Sequence, residues 1–317
     1  MIDKELFGLI GGNKKYIFIA VALQVLGLIA NVTITASVCY AVYLLTQNAE
    51  SVKFVYPLIG AVIGIIVRYS CSRATGDIKD KLGRSVKKDL RERVYNKIVK
   101  LGVKTTDGMS MAGLTQVSVE GVEQLDLYYS SYLPQFFFAM IAPIVLFLIC
   151  VCIDWRTALV LICCVPLIPM SIVAVSKYAK KVFAKYWGKY TSMGDKFLDS
   201  VQGLKELKIF QADAAQHVRI NESAEEFRVI TMKVLVMQLI SITIMDLVAY
   251  GGAGIGIGLA IWGAAFRGLN PIAALFLCLV SVEFFLPLRA FGSAFHVAMN
   301  GVSAGKKIIS LLNTPDP

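Results

Sequence analysis

The sequence predicts an all-α membrane protein with six transmembrane helices and long cytoplasmic helical extensions. Of its 317 residues, 56% are hydrophobic and only 17% are charged, whereas about a quarter are charged in an average soluble domain. The mean hydropathy is +0.66. Six apolar stretches approach or exceed the ~20 residues that cross a bilayer as a helix. They run over residues 16–46, 54–72, 133–153, 157–176, 234–262 and 271–289.

The first span follows a short amphipathic segment, residues 2–11, which we expect to lie along the membrane surface as an elbow helix. The first span itself is longer than the 7–15 apolar residues of a signal peptide and no A-x-A cleavage site follows it. Further along, only Asp154, Trp155 and Arg156 separate the third and fourth spans. That connection predicts a tight hairpin at one membrane face.

The basic residues predict the orientation. Segments 73–132 and 177–233 hold eleven Lys and Arg residues each, whereas the opposite side has only Lys53, Arg156 and Arg267. Cytoplasmic loops carry such an excess of Lys and Arg, so both termini are expected in the cytoplasm, at the cytoplasmic (inner) membrane. The net charge of +10 is therefore attributed to topology and not to a nucleic-acid partner.

The two long cytoplasmic segments are predicted to be helical. Each lies within a proline-free part of the chain, 58–133 or 170–270, so helices can continue out of the membrane. The first also carries an apolar stripe at helical spacing, for which we expect the other cytoplasmic segment, from this subunit or a second one, as the partner. The stripe consists of Ile78, Leu82, Val86, Leu90, Val94, Ile98 and Leu101.

Catalytic and metal sites are not predicted. The nearest approach to a phosphate-binding loop, residues 300–307, lacks both the first Gly and the Ser or Thr after the Lys. The seven cysteines lie in or at the ends of apolar stretches and are expected to act as small hydrophobic residues; a thiol or metal site between the third and fourth spans is the alternative. Three G-x-x-x-G pairs predict close helix packing, with a hinge or a substrate-facing gap as the alternative. These pairs are Gly60/Gly64, Gly252/Gly256 and Gly254/Gly258.

Ionisable residues inside the predicted spans are the strongest functional signal, because each is costly in lipid and should face protein or water. They are Arg68, Asp246, Glu283 and Arg289. Arg68 and Arg289 lie near cytoplasmic ends, where their side chains can also extend to the membrane surface. Asp246 and Glu283 lie deeper, and we expect an interior cavity or an ion pair for each.

Two polar stripes extend this pattern. One stripe lies on a face of the first span and comprises Gln24, Asn31, Thr35 and Cys39. The other lies on a face of the sixth span and its cytoplasmic continuation and comprises Arg289, Ser293, His296 and Asn300. The stripes predict either hydrogen bonds between helices or a hydrophilic path that opens to the cytoplasm and admits an anionic or zwitterionic solute.

This layout resembles the transmembrane domain of an ABC exporter over the whole chain. The sequence resemblance is most specific at residues 283–289 (EFFLPLR) and 292–301 (GSAFHVAMNG), which are similar to the CydD-like subunits of the cytochrome bd assembly exporter, linked to cysteine and glutathione export and to haem. The resemblance implies the ABC exporter transmembrane domain fold over residues 1–312. It also implies that residues 313–317 begin a linker to a nucleotide-binding domain.

The same resemblance implies partners and cofactors. ATP and Mg would be bound by nucleotide-binding domains outside these residues, either later in a longer chain, which the ending Pro315-Asp316-Pro317 favours, or in a separate subunit. A second homologous transmembrane subunit would complete a homodimer or heterodimer, and the complex would be an ATP-hydrolysing translocase. Haem is possible, with His296 as an axial ligand.

Two coupling helices should dock on the nucleotide-binding domains, within residues 113–125 and 199–210. Their expected apolar contacts are Val117, Val119, Val201, Leu204 and Leu207.

Solute contacts are expected from Arg68, Arg289 and His296 near the cytoplasmic mouth and from Asn31, Thr35 and Glu283 deeper in the membrane. Two alternatives remain open. One is an ABC exporter of a peptide, lipid or drug, and the other is a membrane assembly factor that binds haem or a partner protein without transport.

Overall fold

The fold of the described residues is entirely helical, as the sequence predicts. The computed structural model describes Leu6, Gly8, Ile10 and residues 13–47, 51–102 and 111–315, except for the side chains at 51, 111–112, 172–181 and 296–297. Two long helices open the fold: α1 (Lys14–Thr46) and, after a 3-10 turn, α2 (Val55–Leu101).

The third helical run begins well before its predicted span. It comprises α3 (Met111–Gln116), a π-helical segment (Val117–Gly121), α4 (Val122–Leu127), a second π-helical segment (Tyr128–Tyr132) and α5 (Leu133–Val151). The remaining helices are α6 (Trp155–Cys164), α7 (Leu167–Gln202), α8 (Leu204–Ile209), α9 (Asp213–Phe266) and α10 (Pro271–Leu312).

Five helices among the described residues are long and apolar enough to cross a membrane: Lys14–Thr46, Val52–Leu101, Gly113–Val151, Asp213–Phe266 and Pro271–Phe295. The fourth predicted span, 157–176, falls on a shorter apolar stretch, Trp155–Ser171, and continues into residues whose side chains are not described. The count of six spans therefore stays a prediction.

The fourth span is also not one continuous helix, contrary to the prediction. It breaks at Val165 and Pro166, between α6 and α7. Proline has no N–H for the helix ladder and its ring clashes with the carbonyl one turn earlier. The hairpin before it is as predicted, because α5 ends at Val151 and α6 begins at Trp155. Asp154 caps α6, accepting a hydrogen bond from the Thr157 hydroxyl at 2.6 Å.

The apolar stripe on α2 is buried, but against a different partner from the one predicted. Leu82, Val86, Leu90 and Val94 are at most 2% exposed. Within the described residues, α2 packs mainly on α1, α4, the second π-helical segment and α10. The reason is local, because the second half of the same loop folds back as a helix and covers the stripe.

The predicted elbow helix, residues 2–11, lies mostly outside the described residues. Leu6 and Ile10, the two apolar members that are described, are buried. The Leu6 carbonyl accepts a hydrogen bond from the Tyr129 hydroxyl at 2.7 Å. Gly305 of α10 leaves room for Leu6, since a Cβ there would lie 2.5 Å from Leu6 Cδ2.

Candidate functional site

A cavity of about 710 Å³ lies between α1, α2, α5 and α10. Its apolar lining includes Leu23, Phe138 and Leu286. The polar lining is Gln24, Asn31, Arg68, Ser72, Thr75, Lys79, Gln135 and Glu283.

Close packing of α1 on α2 forms one wall of this cavity. A Cβ at Gly64 would lie 2.6 Å from Ile34 Cγ1 and 3.2 Å from the Ala30 carbonyl oxygen, and one at Gly60 would lie 2.7 Å from Ser37 Oγ. The Gly60/Gly64 pair therefore permits close helix packing, as predicted. The approach places the polar face of α2 opposite the polar face of α1.

Arg68 and Asn31 meet across this wall. The Arg68 guanidinium donates a hydrogen bond from Nη1 to the Asn31 side-chain oxygen. The arginine remains exposed to the cavity side of α2, so only part of its donor set is used. Arg carries five N–H donors in a planar fork that matches a carboxylate, and the remaining donors are available to a solute.

A chain of amide hydrogen bonds fixes the opposite side of the cavity. Gln24 Nε2 donates to Gln135 Oε1 at 3.4 Å, and Gln135 Nε2 donates to the Pro287 carbonyl at 3.0 Å. The three residues lie on α1, α5 and α10, so the chain joins three helices. Within the described residues, Gln24 Oε1 is buried and has no hydrogen-bond partner, which leaves an acceptor free beside the cavity.

Three charged groups line the cavity. Arg68 and Lys79 on α2 are cationic, and Glu283 on α10 is anionic. Among the described residues, neither Lys79 nor Glu283 has an ion pair. Two cations and one carboxylate give the cavity a net charge of +1 and separate sites for carboxylate and ammonium groups.

The structure brings together some of the expected solute contacts and separates others. Asn31, Arg68 and Glu283 line the same cavity. Thr35 does not line it, and its hydroxyl donates to the Asn31 carbonyl at 3.1 Å. Arg289 also lies outside the cavity and forms an ion pair with Asp246. The His296 side chain falls outside the described residues.

Sequence reasoning missed Lys79, Ser72, Thr75 and Gln135. A signal for three of them was present, because Arg68, Ser72, Thr75 and Lys79 follow one another at spacings of four, three and four and so share one face of α2. Gln135 gives no such signal, since it is one amide in an apolar run and only the packing of three helices selects it.

The expected coupling residues lie in two different environments. Residues 113–125 are helical and belong to one continuous run, Gly113–Val151, in which α3, the first π-helical segment and α4 follow one another. In this run Val117 is buried and Val119 is exposed. Residues 199–210 comprise the end of α7, where Val201 is exposed, and the short helix α8, where Leu204 is exposed and Leu207 is half-buried.

A side-chain contact joins the first of these regions to α7. The Tyr190 hydroxyl of α7 donates to the Glu120 carboxylate next to Val119. This hydrogen bond, together with burial, raises the pKa of Tyr190 to about 12. The protonated phenol donates this hydrogen bond and holds α7 against the first π-helical segment.

The cavity combines polar, charged and apolar groups, as small-molecule sites do. The described residues contain no group of three or more His, Cys, Asp or Glu side chains that could hold a metal ion. The cavity offers positive and negative groups, one free amide acceptor and an apolar wall, which suit a small polar solute.

Comparison with known proteins agrees with the helical layout. Residues 16–285 match the family described as the ABC transporter transmembrane region. An ABC transporter ATP-binding protein of Haemophilus influenzae, whose name calls it uncharacterized, is 49% identical over 230 residues, which cover 73% of this chain and 41% of the relative.

Two further relatives carry more specific names. The transport ATP-binding protein AarD of Providencia stuartii is 31% identical over 74% of this chain and 41% of its own length. The glutathione/L-cysteine transport system ATP-binding/permease protein CydD of Haemophilus influenzae is 25% identical over 86% of this chain and 48% of its own length.

The chain thus spans less than half of each of these three relatives. The family match, in contrast, covers most of the chain and coincides with its long apolar helices. This chain belongs to the ABC transporter transmembrane region family.

Proposed function

We propose that the chain is the membrane-embedded part of an ATP-driven exporter for a small zwitterionic or anionic solute, of the class that includes cysteine and glutathione. The observation that carries the proposal is the cavity in which Arg68, Lys79 and Glu283 place two cations and one carboxylate around about 710 Å³. Its volume lies in the usual range for small-molecule sites, about 300–1,000 Å³.

The charges favour a solute that bears both carboxylate and ammonium groups. A carboxylate can take the free donors of Arg68 or the ammonium of Lys79, while Glu283 can accept from an amino group. An apolar drug would offer no partner to these three charged groups and would displace water from them, which is costly. The relatives named for glutathione and L-cysteine transport support the same class.

The transport cycle we propose is alternating access. Nucleotide-binding domains outside these residues bind ATP and Mg and push on α8 and on the exposed Val119, and the long helices α7 and α9 transmit the movement. A second homologous transmembrane subunit, identical or not, closes the cavity from the other side. Both termini lie in the cytoplasm, at the inner membrane, and residues 313–317 lead toward the nucleotide-binding domain.

The proposed biological role is in cytochrome bd assembly, where haem is a further possible ligand through His296. This role rests on the resemblance to CydD-like subunits and not on the cavity. Thiols and haem are therefore added in separate assays, so that export of a thiol and a haem-linked function can be distinguished.

The decisive experiment uses the full-length protein with its nucleotide-binding domains and partner subunit, reconstituted in lipid. ATP hydrolysis is measured with cysteine, glutathione, haem, peptides and lipids in turn, for the wild type and for Arg68→Ala. We expect stimulation by the thiols, reduced at least tenfold in Arg68→Ala with basal hydrolysis retained.

Other outcomes point to other functions. Stimulation by peptides or lipids alone would support an exporter but exclude a thiol as its solute. Haem absorbance without ATP-dependent flux would favour an assembly factor. Equal loss of basal and stimulated hydrolysis in Arg68→Ala would remove its role as a solute contact. A matched control is Arg73→Ala, an exposed arginine on α2 that does not line the cavity.

A further inference from the structure

A second region, on the outer side of α9, combines basic side chains with an apolar groove. Two adjoining hollows of about 310 Å³ and 430 Å³ share Val229 and Lys233. The first lies between α7 and α9 and contains Lys185 and Lys189. The second continues along α9 past Val236 to Ile240.

The acidic residues of the groove are already neutralised. Glu225 accepts two hydrogen bonds from Arg228, both at 2.7 Å. Glu226 forms an ion pair with Lys189. Within the described part of the chain, Lys185 and Lys233 have no ion pair, so the groove has an excess of two positive charges.

The apolar part follows one face of α9. Val229, Lys233, Val236 and Ile240 are separated by four, three and four residues, and Met232 lies beside them. Met232, Val236 and Ile240 are 48%, 49% and 56% exposed. From Lys233 to Ile240 the helix rises about 10 Å, toward the interior of the predicted span 234–262.

We propose that an anionic phospholipid occupies this groove, with its phosphate on Lys185 and Lys233 and an acyl chain along Met232, Val236 and Ile240. The argument is one of complementarity. Two uncompensated cations lie where the predicted span meets the cytoplasm, and an exposed apolar groove continues from them into the membrane. Anionic headgroups lie at that depth and are attracted by such basic residues.

The test uses the full-length complex in detergent, titrated with phosphatidylglycerol or phosphatidylcholine of identical chains, and counts bound lipids by native mass spectrometry. We expect preferential retention of phosphatidylglycerol. Lys185→Gln and Lys233→Gln should each weaken it about fivefold, and the double variant should retain both lipids equally. The variant with Arg at both positions should retain the preference.

The matched control is Lys88→Gln with Lys205→Gln, two exposed lysines outside both hollows, and it should behave as wild type. The proposal would be overturned if this control lost the preference for phosphatidylglycerol as fully as the double variant of Lys185 and Lys233, or if that double variant kept the preference. Displacement of the lipid by glycerol phosphate alone would show a phosphate site and not a lipid site. A change in oligomeric state at unchanged lipid retention would identify the groove as a subunit contact.

Discussion

Arg289 of α10 is bound to Asp246 of α9, with Arg289 Nη2 3.2 Å from Asp246 Oδ2. The guanidinium also lies over the Tyr250 ring, 5.5 Å from its centroid. Because an ion without a partner is costly inside a membrane, the pair explains how two charged residues are tolerated in apolar helices. It also explains why Arg289 does not face the cavity.

Replacing Arg289 by Ala is expected to lower stability and not to act selectively on the solute. The substitution leaves the Asp246 carboxylate without its counter-ion between α9 and α10. We expect the melting temperature of the purified complex to fall by roughly 2–4 °C, with basal and solute-stimulated hydrolysis reduced in proportion. The measurements are thermal unfolding and ATP hydrolysis with and without thiol.

The double variant Asp246→Ala with Arg289→Ala provides the control. The fall in its melting temperature should be smaller than the sum of the falls in Asp246→Ala and Arg289→Ala, because no uncompensated charge remains. A selective loss of thiol stimulation in Arg289→Ala, with unchanged melting temperature, would restore Arg289 as a solute contact.

Glu283→Gln is expected to affect solutes with a free amino group. Removing the carboxylate replaces a charge-assisted hydrogen bond to ammonium with a neutral one, which is weaker by about 1.4 kcal/mol or tenfold in affinity. The apparent KM of transport for cysteine should therefore rise about tenfold. Transport into inside-out vesicles gives the measurement.

N-acetylcysteine is the matched solute, because it keeps the thiol and the carboxylate but has no ammonium group. Its KM should change less than about twofold in Glu283→Gln, by the same reasoning on the lost interaction. An equal rise for both solutes would mean that Glu283 does not recognise the amino group.

The spans could be predicted from sequence because apolar length is a local property, and the hairpin at Asp154 follows from the same count. The partner of the α2 stripe could not be predicted. An apolar face indicates that it is buried, but it does not indicate which other helix packs against it. The break between α6 and α7 was open to prediction, because Pro166 lies in the middle of the apolar run.

The residues that line the cavity could be predicted only in part, because sequence does not show which helices pack together. Asn31, Arg68 and Glu283 stand out in sequence because polar groups are rare in apolar helices. Arg289 stands out equally in sequence. It forms an ion pair with Asp246 on the neighbouring helix, whereas Arg68 lines the cavity, and this difference appears only in the structure. Contacts between helices therefore decide which of these polar residues line the cavity, and composition alone does not.

Gly83→Ala is expected to disrupt the contact between α2 and α4. A Cβ at this position would lie 2.2 Å from Asp126 Oδ1, and Asp126 is held 3.2 Å from Lys87 Nζ. The carboxylate would have to move from its lysine. Such overpacking costs about 1–3 kcal/mol, which denaturant unfolding of the purified protein can measure.

Gly76→Ala on the same helix is the matched control. Nothing lies within 4 Å of a Cβ at Gly76, so the added methyl should raise helix stability by about 0.5–1 kcal/mol. Destabilisation of both variants to the same extent would indicate a general effect on α2 and not a clash with Asp126.

The two overlapping G-x-x-x-G pairs of α9, which look equivalent in sequence, are expected to respond oppositely to alanine. A Cβ at Gly252 would lie 2.5 Å from Phe285 Cζ, and one at Gly256 would lie 2.5 Å from Leu161 Cδ2 and 2.7 Å from Ser281 Oγ. Gly252→Ala and Gly256→Ala should therefore each cost about 1–3 kcal/mol, because a buried aromatic ring and a packed helix cannot give way cheaply.

Gly254→Ala and Gly258→Ala should leave the isolated chain as stable as wild type or slightly more so, since nothing lies within 4 Å of either added Cβ. Thermal unfolding of the four variants in detergent compares them directly. Loss of stability at Gly254 or Gly258 only in the assembled complex would show that this second face packs against another subunit. Equal loss at all four positions in the isolated chain would contradict the separation of α9 into a packed face and an open one.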